Sequence, residues 1–464
     1  MKRFLPITFI FIFIFSILPT FAETKEASIQ KVGLTFEQAY QLMLENNNSL
    51  KAFEEQIKKA KYEKNAAIGQ YLPKVVVNAT YMHFSDPIAV TTPVSIPALR
   101  YSANLTTPIQ DQNLFTIGGA AVWNIFTGGK IVALNTAARA KLEASNSKYV
   151  EVQDNLTVEL VKRYYGLRLA RDVVSVRAQV MDGIKKHLDD AKALEREGLI
   201  SKSERLHAEV AYADAQRQYK AALRDANVIE EGLKTLIKSK DANLKDVLIY
   251  PDSLLFAYND STIDVQEMKK NALESNPQLK QLKAKKKALN AKFRSEVANY
   301  SPNVSLFVYD IVGAKDLAQS LPRVGVGGSV NFLLFDGFSR YNNVRAADAD
   351  RHSVDYEIAD AEYNIESLVT KQYQELMKNK EMYDSTSASL ANAEESLRTA
   401  SLGFKEGFRT SLDVTDAELA LSKVKIERLQ SLYNYDLTLC ELLKTNGNTK
   451  EFLNYIINSK GEKF

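Results

Sequence analysis

The 464-residue chain carries one cysteine, Cys440, so an internal disulfide is impossible, and its distance from the N-terminus excludes a lipid anchor on a leading cysteine. Four histidines occur, His83, His187, His207 and His352, none paired at metal-ligand spacing. No serine, histidine and acid constellation stands out, and the glycines of Val324-Gly325-Val326-Gly327-Gly328 lead into more strand, so they make no phosphate cradle. The sequence offers no catalyst, metal site or cofactor site. Proline (11) and glycine (19) are few for a chain with several domains on linkers, which favours something long and regular. A formal charge of only +3 gives no footprint for nucleic acid. Beyond residue 22 no apolar run approaches the roughly 20 residues a membrane helix needs. Any part of the mature chain that sits in a membrane must therefore be built of strands.

What the chain does have begins with a basic head, Lys2 and Arg3, an apolar run from Phe4 to Leu18, and Ala22 before Glu23. This pattern reads as a cleaved secretory signal over 1–22. The rest is written twice. Leu44-Glu45-Asn46-Asn47 matches Leu273-Glu274-Ser275-Asn276, and Tyr71-Leu72-Pro73 matches Tyr300-Ser301-Pro302 at the same spacing. Phe126-Thr127-Gly128 then matches Phe335-Asp336-Gly337, in a register that holds through Gly198 and Gly407 to Ala208-Glu209 and Ala417-Glu418. Two structural repeats are expected, 23–240 and 263–445. A linker over 241–262 joins them, and a tail over 446–464 follows. Their difference in length falls between the strands of the first copy and marks His83 to Asn113 as an outer, surface-exposed loop.

Each repeat reads as helix, strand, loop, strand, long helix, break, helix. In the first, the helix spans 35–71, opened by a capping box of Thr35 and Gln38, and strands follow over 73–84 and 114–126. A long helix over 129–197 and a return helix over 201–237 complete it. In the second the elements are helix 264–299, strands 302–311 and 322–335, long helix 338–406 and return helix 411–443. Pro73 and Pro302 end the first helices, because proline lacks the N–H and constrains the residue before it. The strands alternate: Phe115, Ile117, Trp123 and Ile125 share an apolar face, as do Val324, Val326, Val330 and Phe332. Such period-two segments suit strands crossing hydrocarbon. Four strands cannot close a barrel and open edges are intolerable in lipid, so two chains giving eight strands or three giving twelve are required. The long helices would be rods of roughly 100 Å at 1.5 Å per residue. Val173, Val176, Val180, Ile184, Leu188 and Ala191 form one seam, and Leu419, Ser422, Ile426, Leu429, Tyr433, Asp436, Cys440 and Leu443 another; a second stripe, Leu421, Val424, Leu432, Leu439 and Leu442, points elsewhere. Helices gripped on both flanks belong in a closed palisade. A structural or adhesive coiled-coil protein of the cell surface is the alternative.

The reversal from rod to return helix is the most distinctive stretch. Copy one reads Glu197-Gly198-Leu199-Ile200-Ser201-Lys202-Ser203-Glu204, and copy two reads Glu406-Gly407-Phe408-Arg409-Thr410-Ser411-Leu412-Asp413-Val414-Thr415-Asp416. Glycine supplies the left-handed cap that ends each rod, while Ser201 and Thr410 can cap the next helix. Asp413 and Asp416, three apart, share a face of its first turn.

On the duplicated unit, the prolines at strand entry, Phe335-Asp336-Gly337 and the tip from Gly403 to Ala417, the chain resembles the TolC family of outer-membrane efflux and secretion channels. The resemblance implies a homotrimer in the outer membrane, with a twelve-stranded β-barrel continuous with a periplasmic α-helical barrel. It implies an exit duct that conducts passively, working with a periplasmic adaptor and an inner-membrane pump or transporter. It places acidic rings of the pore entrance at Asp413 and Asp416, and a gate latch between Arg409 and Glu204. The family adds a tyrosine hydroxyl at the position of Phe404, which this chain lacks. It places the adaptor-contact tips at Gly198, Leu199 and Ser201 and at Gly407, Phe408 and Thr410.

Overall fold

The computed structural model describes residues 34–238, 264–315 and 322–458. The expected signal segment 1–22 and the linker 241–262 lie outside the described residues.

In the first repeat α1 (Phe36–Asn46) and α2 (Asn48–Gly69) lead to strands β1 (Lys74–His83), β2 (Ile88–Ile96), β3 (Tyr101–Gln110) and β4 (Asn113–Phe126). The rod α3 (Lys130–Arg196) and return helix α4 (Lys202–Ile237) follow. The second repeat runs α5 (Val265–Ser275), α6 (Pro277–Ala298), β5 (Asn303–Lys315), β6 (Val324–Asn331), rod α7 (Ser339–Lys405) and return helix α8 (Ser411–Thr445), with a short α9 (Glu451–Asn458) in the tail. Both rods are 67 residues long.

Three expectations are corrected. The helix read over 35–71 is two helices, and so is that over 264–299. The break falls at Asn47 and at its repeat partner Asn276, both at extended ψ. Each side chain caps the helix that follows, Asn47 accepting from the Ser49 amide at 2.8 Å and Asn276 from those of Gln278 and Leu279 at 2.9 and 3.2 Å. The stretch from His83 to Asn113, read as a loop, holds a second sheet, the hairpin β2–β3. Strand β6 also stops at Asn331, short of the expected 335.

The main sheet has order β1-β4-β5-β6, antiparallel throughout, with β1 and β6 as outer strands. One face carries Val75, Val77, Tyr81, Phe115, Ile117, Leu306, Val308, Val324, Val326 and Val330, all exposed. On the other face Phe307 and Tyr309 lie over Gly327 and Gly325, where any Cβ would meet the rings at 2.7 and 2.4 Å. Gly118 sits at a bulge, where a Cβ would fall 2.3 Å from the Asp310 carbonyl.

Strands hand over to rods through Gly128 and Gly129 in one repeat and Gly337 and Phe338 in the other, all at positive φ. A Cβ on Gly128 would meet the Ala298 carbonyl at 2.7 Å, so α6 passes too close for any other residue. The helices stand in a row: α2 and α4 flank α3, α6 and α8 fill the space between α3 and α7, and α7 ends the row. Most of the expected seam is buried, with Val176, Val180, Ile184 and Leu188 facing inward, and so are Leu421, Leu429, Leu432, Leu439 and Leu442 from the two stripes of α8; Val173, Val424, Ile426 and Tyr433 are half-buried, and Leu419, near the tip, is exposed. Near mid-rod, Phe36, Tyr164, Tyr165 and Phe452 pack ring against ring at 5.2–6.4 Å.

Candidate functional site at the helical tips

Both rods reverse at their far ends by the same device. Gly198 and Gly407 adopt φ of 76° and 79°, and the amides of Leu199 and Phe408 close onto the carbonyls of Leu194 and Gly403 at 2.9 and 2.7 Å. Ser201 then caps α4 by accepting from the Glu204 amide at 3.3 Å. Thr410 caps α8 in a full capping box: its hydroxyl accepts from the Asp413 amide at 3.2 Å, and Asp413 Oδ2 accepts from the Thr410 amide at 2.8 Å. These bonds to Thr410, with Arg409 near by, hold the Asp413 carboxyl below its ordinary range. Leu199 and Phe408 project outward, 67% and 81% exposed.

The two tips are locked together within the chain. Glu204 Oε2 accepts from the backbone N–H of Ser411 at 2.7 Å, and the Ser411 hydroxyl lies 2.7 Å from His187 Nε2. Ser411 is fully buried. The Phe404 ring stands edge-on to His187 at 4.5 Å, within a cluster of Leu188, Ala191, Ala208, Ala400, Val414 and Ala417. Lys405 reaches from the second rod to Asp190 on the first at 3.0 Å. Burial pushes the His187 pKa below its ordinary value, against the opposing pull of Asp190 and Glu204.

The Arg409–Glu204 pair implied by the resemblance is not formed within the chain. Glu204 sits at the first amide of α8, where the helix has unsatisfied N–H groups and positive dipole. Arg409, in the turn before Thr410, instead reaches toward the first turn of α8, 3.7 Å from Asp413 Oδ1, with its stem packed on Gly403. Phe404, at the latch position that the family fills with a tyrosine, is buried core. Asp413 and Asp416 share with Arg409, Glu395 and Thr399 a groove of about 510 Å³ between α7 and α8. Asp416 is exposed and belongs to no ion pair among the described residues. Sequence reasoning missed His187, Ser411, Lys405 and Asp190. The one signal for His187 was a polar residue on the apolar seam between Ile184 and Leu188.

An uncovered apolar sheet face joined to a row of long, doubly packed helical hairpins, pinned to one another at their tips, defines a membrane-embedded subunit of a channel. A profile described as "Outer membrane efflux protein" matches residues 39–237 and 269–448, one match on each repeat. The chain belongs to the outer membrane efflux protein family. The proteins of that family are transport ducts of the outer membrane, so the chain is an efflux duct protein and not an enzyme. Among solved structures, CusC is 13% identical with a TM-score of 0.75, over 90% of this chain and 93% of that one. VceC from Vibrio cholerae is 14% identical at 0.72, over 89% and 96%. The CmeC channel of Campylobacter jejuni is 16% identical at 0.73, over 90% and 88%. A search of curated protein sequences returns no match.

Proposed function

We propose that three copies of this chain assemble into the exit duct of a tripartite efflux or type I secretion system, conducting substrate passively from an inner-membrane pump and a periplasmic adaptor through the outer membrane. The observation that carries this reading is the four-stranded sheet, with an apolar face exposed and β1 and β6 left as open edges. In hydrocarbon every backbone group needs a partner, so β6 of one copy must meet β1 of the next. Three copies give twelve strands, and the outer helices α7 and α2–α4 meet in the same way to close a tunnel through the periplasm. The tips form its inner gate. Asp413 and Asp416 are then repeated three times around the axis, attracting cations and repelling anions. The exposed turns at Gly198, Leu199 and Ser201 and at Gly407, Phe408 and Thr410 form the docking points for the adaptor.

Light-scattering mass of the detergent-solubilised protein, combined with planar-bilayer recording, tests the reading. A three-subunit mass and discrete conductance steps are expected. A monomeric mass or a silent bilayer would contradict it and favour a surface coiled-coil protein.

A further inference from the structure

The β2–β3 hairpin stands beyond the main sheet, at the end of β1 and β4 opposite the helices. It is joined there through the Phe84 amide on the Gln112 carbonyl at 2.7 Å. Its two faces differ. Val90, Val94 and Ile96 of β2 alternate onto one side with Thr92 and share it with Tyr101, Ala103, Leu105 and Thr107 of β3, Ile96 pairing with Tyr101, Val94 with Ala103, Thr92 with Leu105 and Val90 with Thr107. Val90, Val94, Ile96, Tyr101 and Leu105 are all exposed, Leu105 at 61%. The opposite side carries Thr91, Ser95, Ser102, Asn104 and Thr106 together with Ala89, Pro93 and Pro108, with the hydroxyls of Thr91 and Thr106 3.0 Å apart. Between Ile88 and Gln110 the only charged residue is Arg100, at the turn.

An isolated two-stranded hairpin is marginal in water, and an apolar face with so little charge around it needs a cover. Lipid does not fit. Both hairpin edges leave backbone N–H and C=O groups without ladder partners, which hydrocarbon does not tolerate. Edge-to-edge strand addition does not fit either. Pro93 and Pro108 stand one in each strand, and a proline is accommodated in a ladder where its nitrogen faces the outer edge, so each edge lacks a donor. What is left is packing through the face. The hairpin grows from β1, the strand that closes against a neighbouring copy, so each hairpin rises at a subunit seam, at the same height as its counterparts.

We propose that the apolar faces of the hairpins from three copies pack against one another over the outer mouth of the barrel, forming an outer constriction separate from the gate at the helical tips. This rests on the trimeric reading above. The contact is contributed by the first repeat alone, since β5 and β6 have no such hairpin among the described residues.

Single cysteines test it in the full-length protein, where Cys440 is buried and stays unlabelled. Val94→Cys and Leu105→Cys lie on the apolar face, and Ser95→Cys and Ser102→Cys on the polar one. In outer-membrane vesicles a short bis-maleimide is expected to give several-fold more covalent dimer from the first pair than from the second. Leu105→Asp is expected to raise single-channel conductance relative to Ser102→Asp. Equal cross-linking from both faces overturns the proposal. Protection of the apolar-face cysteines from a membrane-impermeant maleimide would place that face in lipid and overturns it as well. So would full labelling without cross-linking, which would leave the face free for another protein. A one-subunit mass of the purified wild type marks failure of the trimeric reading itself, whereas a three-subunit mass without apolar-face cross-links sinks only the hairpin contact.

Discussion

Ser411 sits fully buried where the two repeats meet at their tips, and both of its polar groups are committed across that boundary: its amide to Glu204, its hydroxyl to His187. Neither bond can be read from a sequence. A carboxylate that caps another segment's helix leaves no spacing signature, and an arginine in a matched motif looks like the better partner until the chain places Arg409 beside Asp413. The glycine caps and the caps at Ser201 and Thr410 were legible, because capping is local and residue-specific, whereas the reciprocal bond from Asp413 that completes the Thr410 box was not read. His187 has a pH consequence. Burial lowers its pKa from the ordinary 6.5, so the unfolded or opened tip binds protons more readily than the closed one. The stabilisation is full above about pH 6.5 and is lost as pH falls through the lower native value. Hydrogen exchange of the first-turn amides of α8, corrected for intrinsic rate, should therefore be faster at pH 5.0 than at 7.5. In His187→Asn that difference should vanish; an unchanged pH response in the variant would exonerate His187.

At the level of elements, the repeat register gave both rods to within a residue at each end, because roughly 70 residues of uninterrupted helical pattern bounded by glycines leave few alternatives. The breaks at Asn47 and Asn276 were missed although the Asn276-Pro277 pair signals one, since the apolar period continues across them. The hairpin β2–β3 was missed for another reason: it has no counterpart in the second repeat, so the comparison that located everything else classed it as surplus length. Gly118 shows how little slack the main sheet has. Its missing side chain admits the Asp310 carbonyl at a bulge, and backbone cannot retreat as a flexible side chain can. Gly118→Ala should disrupt the pairing of β4 with β5 and reduce the amount of assembled, heat-resistant protein in outer-membrane fractions. Gly129→Ala, in open space although also at positive φ, serves as the comparison and should assemble better.

For the molecule as a whole, the two repeats supply matching rods but unequal ends. The second brings Arg409, Asp413 and Asp416 to the tip, and the first brings Glu204 and His187 to hold it. Asp413 is occupied by its capping box, whereas Asp416 is exposed and belongs to no ion pair among the described residues, so in the proposed entrance it is Asp416 that would meet passing ions. In bilayers, Asp416→Asn should weaken block by trivalent cations added from the tip side while leaving helix content unchanged. Block as strong as in the wild type would move the selective ring elsewhere. Substrate identity has no counterpart in the sequence, because no residue pattern in it marks a binding pocket for a particular molecule.

Trp123 is the one indole in the chain, and its Nε1 donates to the Tyr71 carbonyl at 2.8 Å, where strand β4 passes the end of α2. Excited at the red edge, where tyrosine does not absorb, intrinsic emission therefore has a single source, half-exposed on the apolar face of the sheet at the boundary between strand and helix. The protein carries its own optical reporter of that boundary. Under that selective excitation, a blue shift and quenching by brominated acyl chains would time the arrival of the sheet in a bilayer, with no label attached and no tryptophan in the hundred-ångström rods below to add background.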